Sequence, residues 1–105
     1  MAYFVRKHFD SYNFNWIDNH EYNRMFIVTV LRHCELTLKC RGYLFLNDVY
    51  ESLGYPRTRE GQIKGWTYTD GQTEFRWSIY KIKNKNDIGI KLYQTKNILD
   101  VLPEE

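Results

Sequence analysis

The stretch that decides the fold covers residues 18–42 and reads DNHEYNRMFIVTVLRHCELTLKCRG. Asp18 stands three residues before Glu21, a capping-box spacing that predicts a helix start. Gly42 can adopt the left-handed conformation that ends many helices. The segment therefore predicts a core helix about 35 Å long at 1.5 Å per residue. Its apolar arc comprises Tyr22, Phe26, Val30, His33 and Leu36, flanked by Ile27, Leu31, Cys34 and Leu38.

The segments on either side of this helix predict shorter elements. Residues 11–17 alternate polar and aromatic side chains, a period of two that is typical of a strand. Residues 43–46 favour an extended piece, and Asn47 can cap a short helix over residues 48–53 that Gly54 closes. Thr58 is a candidate cap for one further helical turn.

The last third of the chain predicts antiparallel strands. Asp70 and Gly71 suit the positive φ angles of a tight hairpin turn between residues 66–69 and 73–82. Residues 98–102 predict a final edge strand. The side chains expected to face the core are Phe75, Trp77 and Ile79, then Ile88, Ile90 and Leu92.

These elements predict one α+β domain over residues 1–105. One long central helix and one or two short helices would pack on a small antiparallel sheet, and one version of this fold is winged-helix-like. The apolar content of 43% and aromatic content of 17% argue against disorder. Charge-free runs such as residues 25–31 are far shorter than the roughly 20 residues of a membrane span, and no signal-peptide pattern opens the chain. We expect a cytoplasmic protein that does not enter membranes.

Catalytic, metal and cofactor signatures are weak. Neither paired carboxylates nor a nucleophile beside a base can be recognised, and the glycines do not follow a phosphate-binding spacing. His33, Cys34 and Cys40 are too few to predict a zinc site, and the two cysteines cannot bridge within one helix. We therefore expect no catalytic residue, no metal, no cofactor and no enzyme activity.

The net charge of +2 is unevenly placed, since residues 57–96 hold nine Lys or Arg against four Asp or Glu. Residues 47–73, which overlap this basic block, are typical of a helix-turn-helix with a wing. The part of this motif that would contact the bases, which we call the reading element, would carry Arg57, Arg59 and Lys64. Phosphates would be bound by Arg76, Lys81, Lys83 and Lys85, while bases would stack on Trp77 and Tyr80. The alternative is a solvated sheet face whose lysines discourage edge pairing.

The N-terminal segment is crowded with rings: Tyr3, Phe4, Phe9, Tyr12, Phe14 and Trp16. Exposed aromatic patches often mark contacts with other proteins. Alternatively, the same rings would be buried in the core or in a homodimer interface. The surface predicted to bind a protein partner comprises Tyr3, Phe4, Phe9, Tyr55, Arg57, Arg59 and Lys64.

Residues 42–66, GYLFLNDVYESLGYPRTREGQIKGW, resemble a run shared by uncharacterised small proteins of Gram-positive bacteriophages. The resemblance covers roughly residues 40–80, implies a phage or other mobile-element origin, and transfers no functional residue. It favours a non-enzymatic protein in the host cytoplasm that binds a host or phage protein, such as an anti-CRISPR inhibitor of host defence. The alternatives are a winged-helix-like nucleic-acid binder and a virion or assembly component.

Overall fold

A computed structural model describes residues 4–82, 86–93 and 95–99. Two helices pack on small antiparallel sheets, and the longer helix has 22 residues, which confirms the α+β prediction. The elements are β1 (Phe4–Phe9), α1 (His20–Arg41), β2 (Tyr43–Phe45), α2 (Leu46–Leu53), a 3₁₀ turn (Glu60–Gln62), β3 (Lys64–Thr67), β4 (Arg76–Lys81), β5 (Ile88–Tyr93) and β6 (Lys96–Asn97). Neither helix is long and apolar enough to cross a membrane, as far as the described residues show.

Six strands form two separate three-stranded antiparallel sheets, in the orders β1-β5-β4 and β2-β3-β6. Asp70 and Gly71 do have the predicted positive φ angles, 54° and 78°, and Thr69 bridges Gln72 across the turn. However, β3 and β4 on either side of that turn belong to different sheets. The predicted hairpin is therefore only a tight turn, after which the chain crosses from one sheet to the other.

The N-cap of helix α1 lies one residue later than predicted, at Asn19. The Asn19 side chain accepts a hydrogen bond from the backbone N–H of Tyr22 at 3.0 Å, and its own backbone is extended, as an N-cap requires. Gly42 ends the helix with a φ of 92°, as predicted. Asp18, the predicted cap, instead accepts a hydrogen bond from the Asn86 side chain at 2.6 Å.

The buried face of α1 differs from the predicted arc. Tyr22 and Leu36, placed at its centre, are 46% and 60% exposed. The buried side chains are Asn23, Ile27, Leu31, Cys34 and Leu38. Asn23 is fully buried because its amide bonds the backbone of Ile17 twice and the carbonyl of Asn86 once. The core thus lies against the stripe that had been predicted as the flank.

Residues 11–17 form turns rather than the predicted strand, and the strand lies earlier, at Phe4–Phe9. The alternation was misleading because its polar members fold the chain back on itself. Asn13 accepts a hydrogen bond from the Asn15 backbone at 2.9 Å, and its own N–H donates to the carbonyl of Asp10.

The segment predicted as a helix-turn-helix contains only one α-helix. Asn47 does not cap α2 but is buried within it, where its side chain accepts from the Thr58 N–H at 2.8 Å and donates to the Thr58 carbonyl at 2.9 Å. The Thr58 hydroxyl accepts from the Gly61 N–H at 2.9 Å, but the N-cap of the turn is Arg59 rather than the predicted Thr58. The helical turn that follows is three residues of 3₁₀ helix, so no recognition helix is present there.

The core joins both sheets to both helices. Ile88, Ile90 and Leu92 are buried along β5, as their alternation predicts. Trp66 is 1% exposed, packs edge-on against Phe75 at a ring-centre distance of 4.6 Å, and donates its indole N–H to the Tyr93 carbonyl. That bond ties β3 of one sheet to β5 of the other.

Candidate functional site

The sheet β1-β5-β4 presents one face to the core and the opposite face to solvent. Because side chains alternate along a strand, Ile88, Ile90 and Leu92 point inward and the residues between them point outward. We call this outer face the platform. It consists of Phe4, Arg6 and His8 from β1, Gly89, Lys91 and Tyr93 from β5, and Arg76, Ser78 and Tyr80 from β4.

Three aromatic rings lie on the platform. Phe4 and Tyr93 are opposite each other in the strand register, with ring centres 6.4 Å apart. The Tyr80 ring covers the backbone of Gly89, where an added Cβ would lie 2.1 Å from a ring carbon. The lack of a side chain at Gly89 therefore lets Tyr80 lie flat. Phe4 and Tyr80 remain 45% and 41% exposed, so ring surface is open to solvent.

Two cations lie against these rings, and a third, Arg76, shares the same face. The Lys91 ammonium lies 4.6 Å from the centre of the Phe4 ring and 5.6 Å from that of Tyr93, and the Arg6 guanidinium lies 5.4 Å from Phe4. Arg6 is directly opposite Lys91 in the register. Like charges at opposite positions destabilise a sheet, so the pair adds repulsion that a bound anion would relieve.

These platform cations lack carboxylate partners. Among the described residues no carboxylate oxygen lies within 4.0 Å of Arg6, Arg76 or Lys91, and no outward position of β1, β4 or β5 holds Asp or Glu. The platform is therefore a positively charged aromatic surface.

A hydrogen bond between side chains closes one end of the platform. His8 Nε2 lies 3.3 Å from the Asp87 carboxylate, which is buried, and the His8 carbonyl accepts a hydrogen bond from the Tyr55 hydroxyl at 2.9 Å. Burial raises the pKa of Tyr55, which keeps this hydroxyl protonated as a donor. Tyr55, predicted as a partner contact, therefore holds β1 in place from a half-buried position.

The predicted reading element carries charges that are mostly neutralised. Arg57 donates to the Glu51 carboxylate, a bond that raises the pKa of the guanidinium. Lys64 Nζ lies 3.5 Å from a Glu60 carboxylate oxygen. Arg59 is exposed beside the 3₁₀ turn, away from the platform strands. The structure thus does not bring Arg57, Arg59 and Lys64 together with Arg76.

The structure places the other predicted site residues in different surroundings. Phe9 is fully buried and stacks on Phe26 with ring centres 5.7 Å apart, so it is not available to a partner. Trp77 points inward and donates its indole N–H to Glu35 at 2.6 Å, so it is not a stacking residue. Phe4, Arg76 and Tyr80 lie on the platform, and Lys81 is exposed at the end of β4. Tyr3, Lys83 and Lys85 lie outside the described residues.

Sequence reasoning missed Arg6, Lys91 and Tyr93. Their alternation with inward residues such as Val5 and Leu92 was a usable signal. However, most residues of β1 pair with residues of β5 that are 80 or more positions away in the sequence, and no local pattern predicts that pairing. The described residues contain no group of three His, Cys, Asp or Glu side chains placed to hold a metal ion. Cys34 is buried, which raises the pKa of its thiol to about 11, whereas Cys40 is exposed.

The platform has the chemistry to bind planar groups joined by anions, because rings stack on planar groups while cations attract anions.

Comparison with known proteins places the chain in a family but gives it no activity. Neither a curated protein nor a solved structure matches it. A family model matches residues 5–102, nearly the whole chain. The chain therefore belongs to the Family of unknown function (DUF6353).

Proposed function

We propose that this protein binds single-stranded nucleic acid on the platform and catalyses no reaction. The observation that carries the proposal is that one open sheet face holds three rings and three cations for which the described residues offer no carboxylate partner. The rings are Phe4, Tyr80 and Tyr93, and the cations are Arg6, Arg76 and Lys91. Single-strand binders combine aromatic stacking of bases with basic groups that follow the phosphates.

The shape of the platform favours a single strand over a duplex. Three strands at about 4.8 Å spacing give a face roughly 10 Å wide, and six residues give a length of roughly 20 Å. Such a face suits two or three splayed bases, as other sheets that stack bases do. In a duplex the faces of the bases are already stacked on each other, so the rings of the platform would have no surface to contact.

A second candidate function is the binding of a host or phage protein, and one observation favours it. Tyr12 and Phe14 are 95% and 87% exposed on a loop that is firmly held, since Asn13 and Asn15 both donate to the Leu53 carbonyl. Rigid exposed rings are typical of contacts between proteins. An anti-CRISPR-like inhibitor, a virion component and a homodimer would each use such a loop.

The phage or mobile-element origin belongs to the same proposal. The resemblance of residues 42–66 to small proteins of Gram-positive bacteriophages supports it, and it would place the protein in the cytoplasm of an infected host. Single-stranded nucleic acid is available there during phage replication and transcription, which is compatible with binding on the platform.

Fluorescence anisotropy with labelled oligonucleotides tests the proposed function. We expect the protein to bind a single-stranded 10-mer more tightly than the same sequence as a duplex. Because about three phosphates would be neutralised, log K should fall with log salt concentration with a slope of about −2. Equal binding of duplex and single strand would contradict the proposal. Absence of oligonucleotide binding, together with salt-insensitive capture of a protein that Tyr12→Ala abolishes, would establish the second candidate instead.

A further inference from the structure

A small basic cavity opens at the edge of the platform, between the first turns of α1 and the end of β4. Its volume is about 190 Å³, which is below the range of roughly 300–1,000 Å³ that is usual for sites of drug-sized ligands. Its walls are His20, Arg24, Ile79, Tyr80, Lys81 and Ile88. The cavity therefore suits a small group rather than a whole nucleotide.

Among the described residues that line this cavity, three carry nitrogen-bearing side chains and none is acidic. In the part of the chain that the structure describes, no carboxylate lies within ion-pair distance of Arg24 or Lys81. His20 Nδ1 is buried and has no hydrogen-bond partner there. Buried polar atoms normally have a partner, so this nitrogen lacks an interaction that is usual for its surroundings. His20 is also the first residue of the 22-residue helix α1, whose amino end favours anions.

We propose that this cavity binds a phosphate group of the strand whose bases stack on the platform. The inference rests on the function proposed above. Phosphate oxygens can accept hydrogen bonds from a guanidinium, an ammonium and an imidazole N–H, which are the groups that Arg24, Lys81 and His20 provide.

Tyr80 connects the cavity to the platform. Its ring lies over Gly89 on the platform, and the same residue forms part of the cavity wall. Side chains alternate along β4, so Tyr80 points to the platform and Lys81 to the inner face. Because β4 is an edge strand, a nucleic-acid strand whose base stacks on Tyr80 would turn over the open edge of β4 to bring a neighbouring phosphate to Lys81. Arg76 lies at the other end of β4, about five residues or roughly 17 Å away, so cations mark both ends of this edge strand.

The experiment compares Arg24→Gln with Arg32→Gln. Arg32 is an exposed arginine on the same helix that is not part of the cavity wall, so both variants lose one positive charge from α1. We expect Arg24→Gln and Lys81→Gln each to weaken single-strand binding about tenfold, and Arg32→Gln to change it less than twofold. Matching melting temperatures of the three variants would show that the fold is retained.

A second readout uses inorganic phosphate as the probe. Its addition to the unmodified protein should shift the imidazole NMR signals of His20, and the Arg24→Gln variant should show this shift only at about tenfold higher phosphate. Unmoved His20 signals, or equal oligonucleotide affinities of Arg24→Gln and Arg32→Gln, would overturn the phosphate site.

The two proposals fail in different ways. If Phe4→Ala weakens oligonucleotide binding but Arg24→Gln does not, the platform function stands and the phosphate site is wrong. If inorganic phosphate shifts His20 while no oligonucleotide binds, the cavity does bind phosphate, but its assignment to a bound strand and the function proposed above are both wrong.

Discussion

Two basic regions of this protein differ in what surrounds their charges. Around α2 and the 3₁₀ turn, each of three cations contacts a carboxylate: Arg57 with Glu51, Lys64 with Glu60 at 3.5 Å, and Arg41 with Asp48 at 2.8 Å. On the platform, the described residues provide no such partner for Arg6, Arg76 or Lys91. Charge counted along the sequence therefore locates basic segments, but not the charges that remain free for a ligand.

The difference follows from how the two kinds of structure bring residues together. In the α2 region the paired residues are close in sequence, such as Lys64 and Glu60 four residues apart, so opposite charges meet through local geometry. In the sheet the neighbours are distant in sequence, and Arg6 meets Lys91 only because β1 pairs with β5. Three positive charges on one face, without a carboxylate partner among the described residues, are costly to the fold unless an anion binds there.

The largest effect is expected from a substitution in the core side chains that pack beneath the platform. Trp77 packs against the core beneath β4 and donates to Glu35. Trp77→Ala should lower the free energy of unfolding by about 3 kcal/mol, since it leaves a cavity and removes a charge-assisted hydrogen bond. Urea denaturation followed by circular dichroism measures this change. The substitution should also abolish oligonucleotide binding at temperatures where the variant is unfolded. An unchanged free energy of unfolding would show that the platform does not depend on the packing of Trp77.

A smaller effect is expected when two platform charges are removed, and it is compared with the removal of two charges that contact carboxylates. The double variant Lys91→Gln with Arg76→Gln should weaken single-strand binding about 30-fold, because two charge-assisted phosphate contacts are lost. The matched variant Arg57→Gln with Lys64→Gln has the same net charge and should bind within about twofold of the unmodified protein. Anisotropy titrations at one fixed salt concentration distinguish the two. Equal losses would mean that overall charge, and not the platform, governs binding.

The smallest effect concerns two rings in similar surroundings. Phe4 has Lys91 4.6 Å from its ring centre, and Tyr43 has Arg41 4.3 Å from its own, but only Phe4 lies on the platform. Because stacking a base on a ring contributes about 1–3 kcal/mol, Phe4→Ala should weaken binding about tenfold. Tyr43→Ala should have no effect on affinity in the same titration. If Tyr43→Ala were the more harmful variant, the binding surface would lie on the other sheet.

Sequence patterns located the local features of the fold correctly. The long helix with its Gly42 stop, the short helix with its Gly54 stop, and the positive φ angles of Asp70 and Gly71 were all predictable. Each depends on backbone preferences and side-chain contacts within a few residues. The same reasoning failed for Asn13, Asn23 and Asn47, because their buried amides satisfy backbone groups up to 63 residues away.

The sequence by itself determined the two helices, the turn at Asp70 and Gly71, and the inward faces of β4 and β5, since all of these follow from short-range patterns. Only the tertiary structure decided that the strands form two sheets, that β5 lies between β1 and β4, and that Arg6, Lys91 and Arg76 share one face. The physical reason is that strands pair through backbone hydrogen bonds, which are the same for every side chain. The choice of partner strand depends on the packing of the whole core.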